Sequence, residues 1–464
     1  MSDFLARMRV LQRTRVESAF PSRDSLAARA AERGAARSLE AVLRAPRARF
    51  LFECKAASPS RGAIAREPYD PAELARSYLP AADGISVLTE PEYFGGSLEH
   101  LAAVRSAVSV PLLRKDFILH PIQVLEGRAF GADAVLLIAS FLSWGELRVC
   151  LAEADRLGMD ALVEVQDRSE LGRALEAGAR LIGINNRDLR TLQVDPNRGR
   201  ELAPFVPKDH CVIAESGYGA PARVREHSGQ VDGFLIGAAT AGAADPRLES
   251  RRFAFGRTKV CGLTRPEDAA RADAAGATHL GFVRWPGSPR YVPDLAPFDA
   301  PSLPRVGVYV SPDRDTVERD ARVHGLSAVQ IHGSVPADLD LGPDCQLWRA
   351  GPVDDGPPAG CDRWVIDAGR IGGTGRTFDW SRIPPEAVPR AWLAGGIGPH
   401  NGAQARARGC FGLDASSGLE ASPGRKDPSR LDAFFRILRP QSRGDDTAVI
   451  EPARGREVPS WATI

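Results

Sequence analysis

Glu53 and Lys55 stand two residues apart at the end of the run Arg49-Phe50-Leu51-Phe52-Glu53-Cys54-Lys55, just before the loop Ala56-Ala57-Ser58-Pro59-Ser60. Alternate residues of a strand face the same side, so a strand here aims both charges one way. Burying them is costly unless each meets a partner or a ligand. An isolated Glu-x-Lys reads equally well as a structural ion pair, but the pattern repeats. Arg114-Lys115-Asp116, Glu164, Asn185-Asn186-Arg187-Asp188, Glu215-Ser216-Gly217 and Gly237 each end a further apolar run. Two lysines and three carboxylates at one mouth offer general acids and bases. Crowding is expected to push a lysine below its ordinary value of about 10.4. Gly217 and Gly237 suit a phosphate held by backbone N–H groups.

The second half carries its own set. Cys261 ends Lys259-Val260-Cys261 just before Thr264-Arg265-Pro266-Glu267, which opens a helix. A buried thiol is commonly an inert small side chain. A strand end ahead of a helix is also where a thiol can ionise and act as a base. Asp367 ends Trp364-Val365-Ile366 across the same barrel. Gly372-Gly373-Thr374-Gly375, Gly395-Gly396 and Asp414-Ala415-Ser416-Ser417 follow, and together they read as a phosphate cradle.

Positioning these residues requires strands ending on one face. Apolar runs occur at residues 50–53, 84–88, 110–114, 134–138, 161–165, 181–184, 211–214 and 233–236. Stretches of helical spacing, such as 147–157 and 169–177, separate them. The count restarts at 259–261, 279–283, 305–310, 328–331, 346–348, 363–366, 391–394 and 411–413. Eight alternating units close a parallel barrel, whose chemistry sits at the carboxyl ends of its strands. The expected fold is α/β: two tandem (β/α)8 barrels. The first, residues 1–252, begins with two or three helices before residue 44, with Ser25 as a helix cap. The second covers 257–437, and 438–464 reads as a disordered or loosely docked tail.

The 464 residues suit two such domains. A net charge of +1 gives no reason to expect nucleic acid or a membrane surface as partner. No apolar run is long enough to span a bilayer, and Met1-Ser2-Asp3-Phe4-Leu5-Ala6-Arg7 has no signal-type apolar core. Seven scattered cysteines without Cys-x-x-Cys fit a reducing cytoplasm. The histidines lack metal-ligand spacing, so no metal is expected.

Five blocks resemble indole-3-glycerol-phosphate synthases: Glu53–Ser60, Ser86–Glu90, Leu113–Ile118, Gly183–Leu189 and Ala214–Gly217. The resemblance implies ring closure and decarboxylation of 1-(o-carboxyphenylamino)-1-deoxyribulose 5-phosphate. Lys115 matches the acid that protonates the ketone oxygen, and Glu164 its acid/base partner. Glu53, Lys55, Asn185, Glu215 and Ser216 complete the pocket. Lys55 also approaches the phosphate, while Ser58 and Arg187 match substrate-binding positions. Ala238 stands where relatives often have Ser.

Residues 257–437 resemble phosphoribosylanthranilate isomerases through Val260–Thr264, Ser288–Val292, Val329–Gly333, Asp367, Gly372–Gly375, Ala394–Ile397 and Asp414–Gly418. An Amadori rearrangement is implied, with Asp367 protonating the ring oxygen and Cys261, as thiolate, taking the C2 proton. Arg290 meets the anthranilate carboxylate; His332, Gly373, Gly395, Gly396, Asp414 and Ser416 match binding positions. A bell-shaped pH profile is expected, the thiolate on its acid limb and the carboxyl on its basic limb. Arg284 and Ala368 depart from the pattern. The second product is the first half's substrate, so a fused tryptophan-biosynthesis enzyme explains both halves. It is expected to be a cofactor-free monomer acting on small phosphosugar–anthranilate substrates. Another phosphosugar pair, or a non-catalytic second barrel, remains the alternative.

Overall fold

A computed structural model of the chain describes residues 4–59, 62–65, 68–298, 303–369 and 375–445. Its first barrel closes from eight parallel strands in chain order. They are β1 (Arg49–Cys54), β2 (Gly84–Leu88), β3 (Leu112–Lys115), β4 (Ala134–Ile138), β5 (Asp160–Val165), β6 (Leu181–Asn185), β7 (Cys211–Glu215) and β8 (Gly233–Ile236). β1 closes the ring by pairing with β8 at Phe50–Phe234 and with β2 at Phe52–Ile85. Every residue of β2, β4, β6, β7 and β8 is buried. A parallel sheet covered on both faces demands such continuous apolar runs.

The second barrel repeats the closure. Its strands are β9 (Thr258–Val260), β10 (His279–Val283), β11 (Arg305–Val310), β12 (Ala328–His332), β13 (Gln346–Gly351), β14 (Arg363–Ile366), β15 (Ala391–Leu393) and β16 (Gly412–Ala415). Several of its crossovers use short 3-10 turns, at 296–298, 353–355 and 380–382, in place of α-helices.

Three helices precede β1: α1 (Phe4–Ala19), α2 (Arg23–Ala31) and α3 (Leu39–Leu43). Ser25 is not a cap. It lies inside α2, and its hydroxyl donates to the Ser22 carbonyl at 2.9 Å. α1 is fastened to residues that follow the carboxyl ends of β2, β3 and β4, in two loops and the first turn of the helix Trp144–Arg156. Arg15 pairs with Glu90 at 2.8 Å, Gln12 donates to Asp116 at 3.2 Å, and Arg9 reaches Glu146 at 2.5 Å.

The barrels are joined at the opposite, amino-terminal ends of their strands. Arg251, in the helix Pro246–Ala254, pairs with Asp273 at 2.7 Å and donates to the Ala277 carbonyl at 2.6 Å. Arg439 ends the helix Pro428–Leu438 and returns to the first barrel. It donates to Asp83 at 2.7 Å and to the Ala81 carbonyl at 3.2 Å, and its guanidinium lies over Phe255. Residues 439–445 therefore differ from the tail reading. Ala48 donates to Pro440, Gly229 to Gln441, and the Arg443 guanidinium to the Val206 and Pro207 carbonyls. Residues 446–464 lie outside the described residues. Among the described residues, no helix is long and apolar enough to cross a membrane.

Asp83 is left with Arg49 and the Phe50 amide if Arg439 is removed. Arg439→Met is predicted to lower the stability of the full chain by about 2–3 kcal/mol, the scale of a hydrogen bond to a charged group. Urea denaturation measures this. An unchanged midpoint would contradict it.

Candidate active sites

β1, β3, β5, β6 and β7 deliver the charged ends expected of the first barrel to one place. Lys115 donates to Glu215 at 2.7 Å and lies 3.6 Å from Glu164. Asn185 donates to the other Glu164 oxygen at 2.8 Å, and its own oxygen accepts the Arg187 amide at 2.9 Å. Glu53 and Lys55 form an ion pair beside them. Gly237 lies against this pair, where a side chain would collide with the Glu53 carboxylate. Gly183, on β6, makes the same room for Glu215.

Burial pushes the Lys115 ammonium down, but Glu215, Glu164 and Glu53 outweigh it and hold its pKa above the ordinary lysine value. The expectation of a depressed lysine is therefore corrected. Three carboxylates surround this cation, and mutual attraction wins over desolvation. Burial instead lifts Glu215 to about 7, against the pull of Lys115 and with Glu164 adding to the rise.

The loops complete the rim. Ser216 has φ 62° and Gly217 φ 80°, and the Ser216 carbonyl accepts a 3.0 Å hydrogen bond from Asn186. Arg187 donates to the Leu192 carbonyl of its own loop at 2.8 Å. Ser58 lies on a two-stranded ribbon, Ala57–Ser58 with Gly62–Ala63, and makes no hydrogen bond to the charged cluster among the described residues.

In the second barrel, Cys261 and Asp367 line one pocket, together with Arg290, His332 and Ser416. Gly395, Gly396 and Asp414 line it too, whereas Gly373 lies outside the described residues. Below them Lys259 is completely buried on β9. Its ammonium donates to Asp414 at 2.7 Å and to Gln330 at 2.8 Å, and reaches the Cys261 sulfur at 3.3 Å. Gln330 in turn meets the buried His332 ring at 3.0 Å. Burial pushes the Cys261 thiol up while Lys259 pulls it back. Burial also raises Asp367 to about 6, although the Ala368 amide donates to it at 2.6 Å.

Arg290 is clamped by Glu420 through contacts of 2.9 and 2.7 Å. Lys426 holds Glu420 at 2.8 Å and donates to the Cys261 carbonyl at 2.6 Å. Arg284 has a structural explanation. It pairs with buried Asp320 at 2.8 Å and donates to the Val292 carbonyl at 2.6 Å, stapling the loop that carries Arg290.

Comparison with known proteins agrees with this pair of sites. The family model described as indole-3-glycerol phosphate synthase matches residues 6–253, and that of N-(5'-phosphoribosyl)anthranilate isomerase matches 258–436. The tryptophan biosynthesis protein TrpCF of Yersinia pestis is 44% identical over 84% of this chain and 84% of its own length. That of Salmonella typhi is 42% identical over 86% and 90%, and that of Corynebacterium glutamicum 40% over 81% and 84%. The chain belongs to this family. It is a bifunctional enzyme of tryptophan biosynthesis, with the synthase in its N-terminal barrel and the isomerase in its C-terminal one.

Four polar groups of the isomerase pocket escaped the sequence reading: Lys259, Gln330, Glu420 and Lys426. Lys259 had a signal, since Lys-x-Cys repeats the Glu-x-Lys spacing of β1. Glu420 and Lys426 had none. They sit on a short hairpin, Glu420–Ser422 with Arg425–Lys426, whose bonding partners are remote in sequence.

The glycines give a direct test of the geometry. Gly183→Ala would push Glu215 off Lys115, and Gly281→Ala would place a methyl 2.7 Å from Lys259 Cε and 2.8 Å from the Cys261 sulfur. Each is predicted to lower kcat/KM of its own barrel's reaction about a hundredfold, the usual cost of a misplaced group. The other barrel's reaction should stay at the parent rate. Loss of both reactions, or of neither, would contradict the packing.

Proposed function

We propose that in the synthase barrel Lys115 is the general acid that protonates the ketone oxygen of the carboxyphenylamino-deoxyribulose phosphate. The observation that carries this is its position between Glu215 and Glu164, which keeps it charged and aimed. A cation so held gives up a proton only when the developing alkoxide takes it; the proton that the substrate loses on dehydration is taken by Glu164 and passed back to Lys115, and solvent supplies the net proton the reaction consumes. Glu53 and Asn185 order the pocket. Lys55, Ser216, Gly217 and Gly237 serve the phosphate end, and Ser58 and Arg187 hold the substrate.

In the isomerase barrel Asp367 protonates the furanose oxygen and opens the ring, and Cys261 removes the C2 proton as thiolate. Lys259 lowers the cost of that thiolate from 3.3 Å. Arg290, fixed by Glu420, receives the anthranilate carboxylate. Gly373, Gly395, Gly396 and Ser416 cradle the phosphate, and His332 and Asp414 complete the wall. Each proton transfer has a side chain to perform it, without metal or organic cofactor. The enzyme acts on these small phosphosugars as a cytoplasmic monomer.

Lys115→Ala is expected to cost indole formation about a hundred- to ten-thousand-fold in kcat and to leave isomerisation unchanged. Retention of more than about a tenth of the rate would assign the acid to another group.

The pH profile of the isomerase separates its two groups. With Asp367 near 6 and the thiol raised above its ordinary value, the active form, carboxyl protonated and thiol ionised, is a minor species. The profile is a bell whose acid limb reports Asp367 and whose basic limb reports Cys261. This inverts the order expected from the sequence. Cys261→Ser should lose most turnover, and its residual rate, no longer tied to thiol ionisation, should keep a limb near 6 that falls as pH rises and Asp367 ionises. Loss of the limb near 6 in that variant would reverse the assignment.

A further inference from the structure

We propose that the cleft between the two barrels is a binding site for a small organic anion carrying at least two negative charges. It is a cavity of about 690 Å³, within the usual range for a small-molecule site, and it lies at a domain boundary where such sites concentrate. Its walls come from the turn before β1, the helix Pro221–Glu226, the join at Phe255-Gly256, the helix Gly402–Ala407 and residues 437–441. These are the amino-terminal ends of both barrels, away from either active site.

The charge of the lining is one-sided. Four arginines face the cavity and no Asp or Glu does. Arg439 is matched by Asp83. Among the described residues, the side chains of Arg47, Arg225 and Arg406 have no carboxylate partner and no hydrogen bond. Arg406 lies against Gly256, whose φ of 77° and missing side chain give the guanidinium its room. Burial, then repulsion from Arg225 and Arg257, holds Arg406 down to about 9. Arg47 occupies the left-handed region at φ 71°, a strained conformation for a non-glycine residue.

A cluster of this kind opposes folding. Like charges repel, and the buried Arg47 and half-buried Arg406 lose hydration without gaining acceptors, with the exposed Arg225 adding its charge beside them. A cavity needed only for stability would be filled or neutralised. A dianion between Arg225 and Arg406 supplies the missing acceptors in the forked geometry that guanidinium groups offer carboxylate and phosphate. Phe255, Ile437 and Pro440 line the same space and suit an organic body.

Titration calorimetry on the full chain at fixed ionic strength tests this, with citrate as the carboxylate probe and pyrophosphate as the phosphate probe. The parent should bind at least one of them saturably, and Arg406→Gln and Arg225→Gln should weaken that binding at least tenfold with both catalytic rates unchanged. Arg225 is exposed on its helix, so its replacement keeps the test open should Arg406→Gln misfold. Equal binding by parent and variants, or no saturable binding of either probe, would overturn the proposal.

Discussion

An ammonium group removed from water must be surrounded by negative charge, and each barrel is built around one that is. The desolvation of a single buried ion costs several kcal/mol, and only close, well-oriented partners offset it. Lys115 has Glu215 at 2.7 Å and Glu164 at 3.6 Å; Lys259 has Asp414 at 2.7 Å and Gln330 at 2.8 Å. From this the local architecture follows. Gly183 and Gly281 must lack side chains because the carboxylate, ammonium and thiol occupy the space beside them.

The two barrels use the same constraint for different ends. In the synthase the cation is the general acid proposed above, and its carboxylates keep it charged. In the isomerase the buried Lys259 lies beneath Cys261, and its charge opposes the rise that burial imposes on the thiol. Remote parts keep these centres in register. α1 is tied to Asp116, the neighbour of Lys115, through Gln12, and the hairpin bearing Lys426 holds both Glu420 and the Cys261 carbonyl. Arg439 fastens the end of the second barrel to the first at Asp83.

Much of the fold was legible because parallel strands leave continuous apolar runs. All sixteen strands lie where such runs do, with six matching at both ends and the others shifted, mostly by one residue and by two or three at Leu112, Ala415 and Gly351. The charged strand ends were legible for the same reason, since a Glu or Lys closing an apolar run is conspicuous. What was hidden depends on distance through space. The pKa of Lys115 is set by carboxylates 49 and 100 residues away, so crowding gave the wrong sign. Glu420 and Lys426 belong to the isomerase pocket by virtue of a hairpin with no periodic signal. Residues 439–445 are polar and aperiodic, yet Arg439 and Arg443 find acceptors on the first barrel. The second barrel's missing helices were equally hidden, because a loop of adequate length closes a crossover as well as a helix does.

Nearby carboxylates, and not desolvation, set the charge state of Lys115. Nuclear magnetic resonance titration of side-chain-labelled protein tests it directly by following the Lys115 Cε and Glu215 Cδ signals. Glu215 is expected to titrate near 7 while Lys115 stays charged beyond the ordinary lysine range. A Lys115 signal titrating near neutrality, with Glu215 ionised throughout, would contradict it.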